Sequence, residues 1–119
     1  MKQGNIKGVP IEITVLNRHF ASPDKEVFEE TKLCFDSVYN IRHEDESGIN
    51  TERLDINIPS VNNYLPPAFW EKLQNKQNVF TLRLDDIIVL DGQQWVIGNI
   101  EDRSMRPFGK HFRVRASKI

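Results

Sequence analysis

The sequence predicts a mainly β fold, a small antiparallel β-barrel or sandwich of about six or seven strands with one short helix. Apolar and polar residues alternate with a period of two in several short segments. Turn residues separate these segments, and no strand–helix–strand alternation indicates a parallel sheet. An antiparallel sheet of this size must protect its edge strands, which favours a closed or nearly closed barrel or a compact sandwich.

Strand signals fill the first half of the chain. Residues 11–18 alternate between apolar and polar side chains, as a half-buried strand does. Residues 27–41 keep this period and predict a long strand with a bend or bulge. A helix over residues 24–31 is the alternative, because its first residue, an aspartate, could cap it. Residues 43–50 predict a polar loop with an acidic core, and residues 53–59 predict a strand that ends at a proline.

The middle of the chain contains the clearest helix signal. A short helix is predicted at Ala68–Gln77, directly after two consecutive prolines. Proline is well tolerated at the first helical position, so the prolines favour a helix start there. We expect its apolar stripe to consist of Phe69, Trp70 and Leu73.

The last third of the chain contains the strongest hairpin signal. Residues 80–84 alternate, and the apolar run Ile87–Leu90 is followed by an Asp-Gly turn and a return strand at Trp95–Ile100. Residues 102–110 predict a long polar loop, and His111–Ala116 predicts the final strand. Apolar side chains and arginines alternate in this last strand, so they should lie on opposite faces.

Length and composition indicate one domain. Of the 119 residues, 1–10 are expected to be a flexible lead-in, and 11–119 a single β-barrel-like domain. The one cysteine, Cys34, excludes an intrachain disulfide and indicates a reducing compartment. No apolar run suits a signal peptide or a membrane span, so we expect no membrane partner.

The side chains that carry most enzyme chemistry are scattered. His19, His43 and His111 are far apart in the sequence, and each is most simply a surface histidine. A free cysteine is usually a small buried apolar residue. As a nucleophile, Cys34 would need a cationic neighbour, and Lys32 on the same strand face is the only candidate.

The acidic runs likewise point away from catalysis. The pair Asp85-Asp86 predicts a polar bend before the strand at residues 87–90, and adjacent carboxylates in a strand would point to opposite faces. The run at residues 44–46 lacks the spaced ligands and the turn glycine of a calcium loop. The sequence therefore predicts no catalytic residue, no cofactor and no metal site.

Charge is distributed unevenly along the chain. The formal net charge of −1 excludes a protein whose whole body coats DNA or a membrane. However, residues 24–55 hold ten acidic and four basic residues, a net −6, whereas residues 103–119 hold six basic and no acidic residues. Such a chain can meet copies of itself head to tail, or it can pair the two blocks within one subunit, and the sequence leaves both open.

The charged segments also supply the candidate contact residues. Basic residues interleaved with aromatic ones can bind phosphates or a partner's carboxylates. We expect partners or a channel to be contacted by eight residues: Arg103, Arg106, Lys110, Arg113, Arg115, Glu44, Asp45 and Glu46.

Five segments, read in order, are characteristic: ITVLNR at 13–18, TK at 31–32, LDINIP at 54–59, FTLRLDDIIV at 80–89 and HFRV at 111–114. Together they resemble a family of small prophage proteins of unknown function from Gram-positive hosts, whose genes lie near those of head–tail connectors. More loosely, the hairpin at residues 87–100 is similar to the late hairpin of phage head-closure and head–tail joining proteins. Those proteins are small β-barrels that form rings.

The resemblance implies a structural subunit of virion morphogenesis, a head–tail connector that acts in a ring and not as an enzyme. Its partners would be portal or adaptor proteins, tail proteins and copies of itself, with DNA only passing through a channel. It would occur in the host bacterial cytoplasm during assembly and then in the virion. Two features depart from the looser pattern: the insert at Asn62–Asn78 is long, and the chain lacks the basic N-terminal segment that is common in joining proteins.

The residues also leave other functions open. One is a nucleic-acid-binding β-barrel in which the basic segment binds phosphates and Phe108 or Trp95 stacks on bases. Another is a general protein-interaction module, and a third is a small enzyme or an inhibitor of a host enzyme.

Overall fold

The computed structural model describes residues 2–4, 10–36, 38–46, 49–61, 63–103 and 111–119, and for residues 2–4, 44–46 and 49–50 it describes the backbone alone. This part of the chain contains eight strands and one helix: β1 (Lys2–Gly4), β2 (Ile11–Ser22), β3 (Lys25–Phe35), β4 (Tyr39–Glu46), β5 (Ile49–Pro59), α1 (Pro67–Lys72), β6 (Ile87–Leu90), β7 (Gln93–Asp102) and β8 (His111–Lys118). The strands form one antiparallel sheet in the order β1-β4-β5-β8-β7-β6-β2-β3. The predicted mainly β class with one short helix is confirmed.

The sheet curls around one core without closing into a barrel, because β1 and β3 remain its edges in the described part of the chain. Side chains from distant strands, such as Leu33 in β3 and Leu54 in β5, belong to the same buried cluster. Phe80, which precedes β6, joins this cluster and forms an isolated bridge with Tyr64 in place of the strand predicted over residues 80–84. The Tyr64 ring packs on Phe112 with 4.5 Å between ring centres, so Tyr64 lies against the core.

Alternating segments of the sequence form strands, as predicted. β2, β5 and β8 bury every second side chain over most of their length. In β8 the apolar side chains are buried, and the two arginines lie on the opposite face. The β6–β7 hairpin turns at Asp91 and Gly92, whose φ angles are 51° and 75°. Glycine and aspartate tolerate positive φ, so this turn chemistry fixes the hairpin.

The hairpin of β2 and β3 is longer than predicted. β2 runs to Ser22, beyond the strand predicted over residues 11–18, because β3 pairs with it almost to the end. The long strand predicted over residues 27–41 is two strands, since β3 ends at Phe35 and β4 begins at Tyr39. The strand conformation of β3 also excludes the alternative helix. In the predicted lead-in, Lys2–Gly4 pair with β4.

The prediction of a polar loop over residues 43–50 is wrong. β4 continues to Glu46 and pairs with β5 from His43↔Glu52 to Glu46↔Ile49. Charged residues are compatible with strands where a sheet face is solvated. The backbone hydrogen bonds of the hairpin therefore decide the conformation of this acidic segment.

The helix α1 is shorter than predicted. Leu73 leaves the helical conformation with φ −70° and ψ 136°, because the polar residues after it offer no apolar face to bury. The Lys76 ammonium group donates hydrogen bonds to the carbonyl oxygens of Glu71 and Leu73, which satisfies acceptors at the helix end. Trp70 is fully buried, whereas Phe69 is 64% exposed, so the predicted apolar stripe is wrong at Phe69.

Candidate functional site

The β2–β3 hairpin extends beyond the rest of the sheet. β6 pairs with β2 only from Ile13 to Leu16, so residues 17–30 form a two-stranded ribbon that no other described strand flanks. We call residues 17–30 the arm. Two strands alone are marginally stable in water, so the arm needs support from elsewhere in the chain.

Four side chains support the base of the arm: Asn17, Trp70, Arg83 and Asp86, which we call the buttress. The fully buried Asn17 amide acts like a peptide group of a neighbouring strand. Its Nδ2 donates to the carbonyl oxygen of Thr81 at 2.8 Å, and its Oδ1 accepts from the Thr81 N–H at 3.2 Å. The side chain thus continues the hydrogen bonding of the sheet where β6 ends.

Asp86 is the centre of the buttress and is fully buried. Its Oδ2 accepts hydrogen bonds from Asn17 Nδ2 at 2.8 Å and from Arg83 Nε at 2.9 Å. Its Oδ1 accepts from the N–H of Arg18 and from Arg83 Nη2, both at 3.2 Å. Arg83 also donates to the carbonyl oxygen of Arg18. The Asp86–Arg83 ion pair therefore binds both the N–H and the carbonyl oxygen of Arg18 in the arm. These hydrogen bonds offset the cost of burying the Asp86 carboxylate.

Trp70 fixes α1 against the arm. The Arg83 guanidinium lies over the indole ring, 4.8 Å from its centre, and the His19 ring meets it edge-on at 5.9 Å between centres. His19 Nε2 is 2.9 Å from Glu29 Oε1 in the opposite strand of the arm. The indole N–H donates to the carbonyl oxygen of Val79 at 3.4 Å. His19, predicted to be a surface histidine, is thus a half-buried part of this support.

Beyond the buttress, the arm exposes aromatic side chains. Phe20 is 63% exposed and Phe28 is 46% exposed. Phe28 lies opposite Arg18 and Phe20 lies opposite Glu26, so both rings lie on the outer face in diagonal positions. Neighbouring exposed aromatic rings are typical of contact surfaces. The arm is therefore the first candidate site.

The second candidate site lies on the outer face of β4, β5 and β8. Four arginines surround Asp55 there, and we call them the arginine cluster: Arg42, Arg53, Arg113 and Arg115. Arg113 binds the carboxylate as a fork, with Nε 3.1 Å from Oδ1 and Nη2 2.8 Å from Oδ2. The nearest nitrogens of Arg42 and Arg115 lie 3.8 Å and 4.0 Å from Oδ2. One carboxylate thus attracts three guanidinium groups.

The arginine cluster borders two clefts on the surface. Arg42 lies directly opposite Arg53 in the β4–β5 register, a like-charge arrangement that destabilises a sheet. A cleft is lined by Arg42, Arg53, Asp55 and Arg115. A second cleft shares Arg53 and Arg115 and reaches the bulge beside Gly98 in β7. Anions can therefore approach these arginines from two sides.

The cluster controls the ionisation of Asp55. The hydrogen bonds from Arg113 hold the pKa of this carboxyl below its usual value, and burial opposes them. The positive charges of Arg113, Arg115 and Arg42 also lower this pKa. Asp55 is therefore ionised throughout the neutral range.

The structure brings together two of the predicted contact residues, Arg113 and Arg115. Arg103 follows the end of β7 and binds Glu101 as a fork at 3.0 Å and 3.1 Å, and Glu101 lies opposite Arg113 in the β7–β8 register. Arg106 and Lys110 lie outside the described residues. The other three lie in β4 with only their backbone described: Glu44, Asp45 and Glu46.

The fold also answers the question that the two charge blocks left open. β5 from the acidic block lies beside β8 from the basic block. Asp55 binds Arg113, and Lys118 Nζ lies 3.4 Å from Glu52 Oε2. The two blocks therefore pair within one subunit at these positions.

Sequence reasoning missed the most informative residues of both sites. Arg42 and Arg53 lie inside the acidic block, so a sum of charge over that block does not reveal them. Arg53 alternates with apolar residues of a predicted strand, which was the available signal that it lies on the outer face. Asn17 falls in the buried register of the alternating β2 strand. A polar residue at such a position indicates a side chain with buried hydrogen-bond partners. The predicted bend at Asp85-Asp86 exists, with φ 72° at Asp85, but Asp86 is buried.

Two further residues differ from what their types suggest. Cys34 is exposed on β3, although a free cysteine is usually buried. Trp95 is 1% exposed within the core, so it cannot stack on bases, and Phe108, the other stacking residue of the nucleic-acid-binding alternative, lies outside the described residues.

No protein-family model matches this chain, and no curated protein matches it. Among the described residues, no helix is both long and apolar enough to cross a membrane. The same residues contain no group of three or more His, Cys, Asp or Glu side chains that could hold a metal ion.

Proposed function

We propose that the protein is a structural subunit of a prophage particle, a head–tail connector protein that acts by binding other virion proteins and not by catalysis. One observation carries this proposal: the arm extends from the sheet, exposes two phenylalanines and is fixed at its base by buried hydrogen bonds. The five sequence segments that resemble prophage proteins give the setting.

The construction of the arm suits binding to a protein. A surface that is already ordered loses less conformational entropy on association, so fixed contacts bind more tightly. Aromatic side chains supply much of the binding free energy in protein interfaces. Among the described residues β3 is also an edge strand of the sheet, to which a partner strand could add.

The partners in this proposal are portal or adaptor proteins, tail proteins and copies of the chain in a ring. The protein would be made in the host cytoplasm and retained in the virion. DNA would meet it only during passage through a channel. A general interaction module outside a particle could use the same arm, so the experiment must separate these two roles.

The test replaces both arm phenylalanines in an inducible prophage, as Phe20→Ser with Phe28→Ser. The matched control is Phe69→Ser, because Phe69 in α1 is 64% exposed and Phe20 is 63% exposed. We expect the arm variant to yield unjoined heads and tails, as a deletion of the gene would, and the control to yield infectious particles. Thermal unfolding of the purified variants checks that both remain folded.

Two results would contradict the proposal in different ways. Infectious particles from the gene deletion would show that the protein is not needed in the virion. If the gene deletion prevents assembly but the folded arm variant yields normal particles, the connector role stays intact. The arm is then excluded as its contact surface.

A further inference from the structure

In the described part of the chain, β3 is an edge of the sheet, and it is long and regular. Proteins commonly protect edge strands by keeping them short or by adding prolines, bulges or charged side chains. β3 has 11 residues and contains no proline, and the register shift of the hairpin adds its extra residue to β2, between Phe20 and Ser22. Charged side chains are therefore the protection that β3 retains, and they decide which strand can pair with it.

A cleft lies beside the middle of β3. Its walls are Glu30, Thr31 and Lys32 on one side, with Asn63 and Asn78 from the segments before and after α1 on the other. Glu30 and Lys32 are exposed, whereas Thr31 between them is buried against the core side of the sheet. Among the described residues, the middle of β3 therefore borders open space at its outer edge and not another strand.

Charge selects one register for the pairing of β3 with a second copy of itself. A two-fold axis makes two such strands antiparallel, and residues directly opposite each other then share a face of the sheet. An axis through Glu29, Glu30 or Lys32 places that residue opposite its own copy, so like charges meet. An axis through Thr31 avoids this, and Glu30 of each copy then lies opposite Lys32 of the other. Axes nearer the ends of β3 pair fewer residues.

We infer that β3 pairs with β3 of a second copy about an axis through Thr31, which joins Val27–Phe35 of the two chains in a symmetric dimer. Attraction between Glu30 and Lys32 favours this register, and repulsion disfavours its neighbours, so the charges of the edge specify one arrangement. The pairing also adds a third strand beside residues 27–30 of the arm, which is otherwise a two-stranded ribbon.

This inference goes beyond the connector function and does not rest on it. The connector proposal depends on the exposed phenylalanines, whereas the dimer depends on the edge of β3. Phe20 lies in β2, away from the paired edge, so the arm can contact a partner protein in the dimer as well. A symmetric pair is closed, which makes it a contact separate from any ring of subunits.

The first test measures dimerisation of the purified full chain by sedimentation velocity over a range of concentrations. Glu30→Lys and Lys32→Glu each replace two attractive pairs by two repulsive ones, so each should weaken dimerisation by about tenfold or more. The double variant should dimerise again, and so should a mixture of the two single variants, because opposite charges then face each other. Lys25→Glu is the matched control, since it reverses an exposed charge of β3 outside the paired residues.

The second test reads the register directly. In the proposed dimer Phe28 of one copy lies opposite Cys34 of the other, on the exposed face of β3. Phe28→Cys should therefore form an intermolecular disulfide with Cys34 on mild oxidation, identified by mass spectrometry of the linked peptides. Glu26→Cys is the control, because residue 26 would face Cys34 only if the axis passed through Glu30.

Four results would overturn the inference. These are a monomer at every concentration, larger oligomers that pair β3 with another strand such as β1, folded charge variants that do not recover on mixing, and a stronger link from residue 26 than from residue 28. Thermal unfolding shows whether each variant is folded. A monomeric chain whose arm variant still blocks particle assembly would exclude the dimer and keep the connector role. A dimer from a gene whose deletion leaves particles infectious would do the reverse.

Discussion

Two arginine–aspartate pairs in the same sheet have opposite surroundings. In the buttress, the fork of Arg83 meets a fully buried Asp86, whose remaining bonds come from the base of the arm. In the arginine cluster, the fork of Arg113 meets Asp55 on the outer face, and two more guanidinium groups lie within 4.0 Å. The first carboxylate is fully buried and bonds to the arm, whereas the second is only partly buried and has several guanidinium groups around it.

The difference shows that the fork itself does not determine what such a pair does. A buried pair with all its hydrogen bonds satisfied fixes the geometry of the elements it joins, and removing one partner leaves an unpaired charge. A pair on the surface contributes little to stability unless it belongs to a network.

The largest expected effect comes from breaking the buried pair. Asp86→Ala removes the acceptor of four hydrogen bonds to Asn17, Arg18 and Arg83. We expect the free energy of unfolding to fall by about 3–5 kcal/mol, measured by urea denaturation. Hydrogen exchange should show the arm opening before the rest of the sheet. A loss below about 1 kcal/mol, typical of surface sites, would contradict the role of the buttress.

The contrast between the two pairs also shows where the sequence was informative. Alternation predicted the strands that bury one face, such as β5 and β8, and the Asp91-Gly92 turn predicted the β6–β7 hairpin, because these signals are local. The order of strands and the curl of the sheet depend on contacts between distant segments. Asn17 and Asp86 are 69 positions apart, so nothing near either residue reveals the bond between them.

The candidate sites follow the same rule. Arg113 and Arg115 were predicted as contact residues because they lie in a basic segment. The cluster they belong to depends on β5 lying beside β8, which brings Arg42 and Arg53 from the acidic block to the same face. A count of charge along the chain cannot detect charges that become neighbours only in the folded sheet.

A smaller effect is expected from the partly buried pair, and it depends on pH. Asp55→Asn weakens the fork to Arg113, so the free energy of unfolding at neutral pH should fall by about 1.5–3 kcal/mol, as for hydrogen bonds to charged groups. The folded state lowers the pKa of Asp55, so this stabilisation is complete above the carboxyl's usual pKa and is lost as the pH falls through the lowered value. The free energies of unfolding of the wild type and of Asp55→Asn should therefore converge at low pH. Curves that stay parallel over the whole pH range would show that ionised Asp55 does not supply this stabilisation.

The smallest expected effect has the opposite sign. Arg53→Gln removes one of two like charges that lie directly opposite in β4 and β5, so the free energy of unfolding should rise by about 0.2–0.5 kcal/mol at low salt. Salt screens exposed charges, so the gain should disappear at high ionic strength. Urea denaturation at two salt concentrations measures both values, and a loss of stability at low salt would contradict a net repulsion between Arg42 and Arg53. A gain that persists at high ionic strength would show that repulsion between these two charges is not its cause.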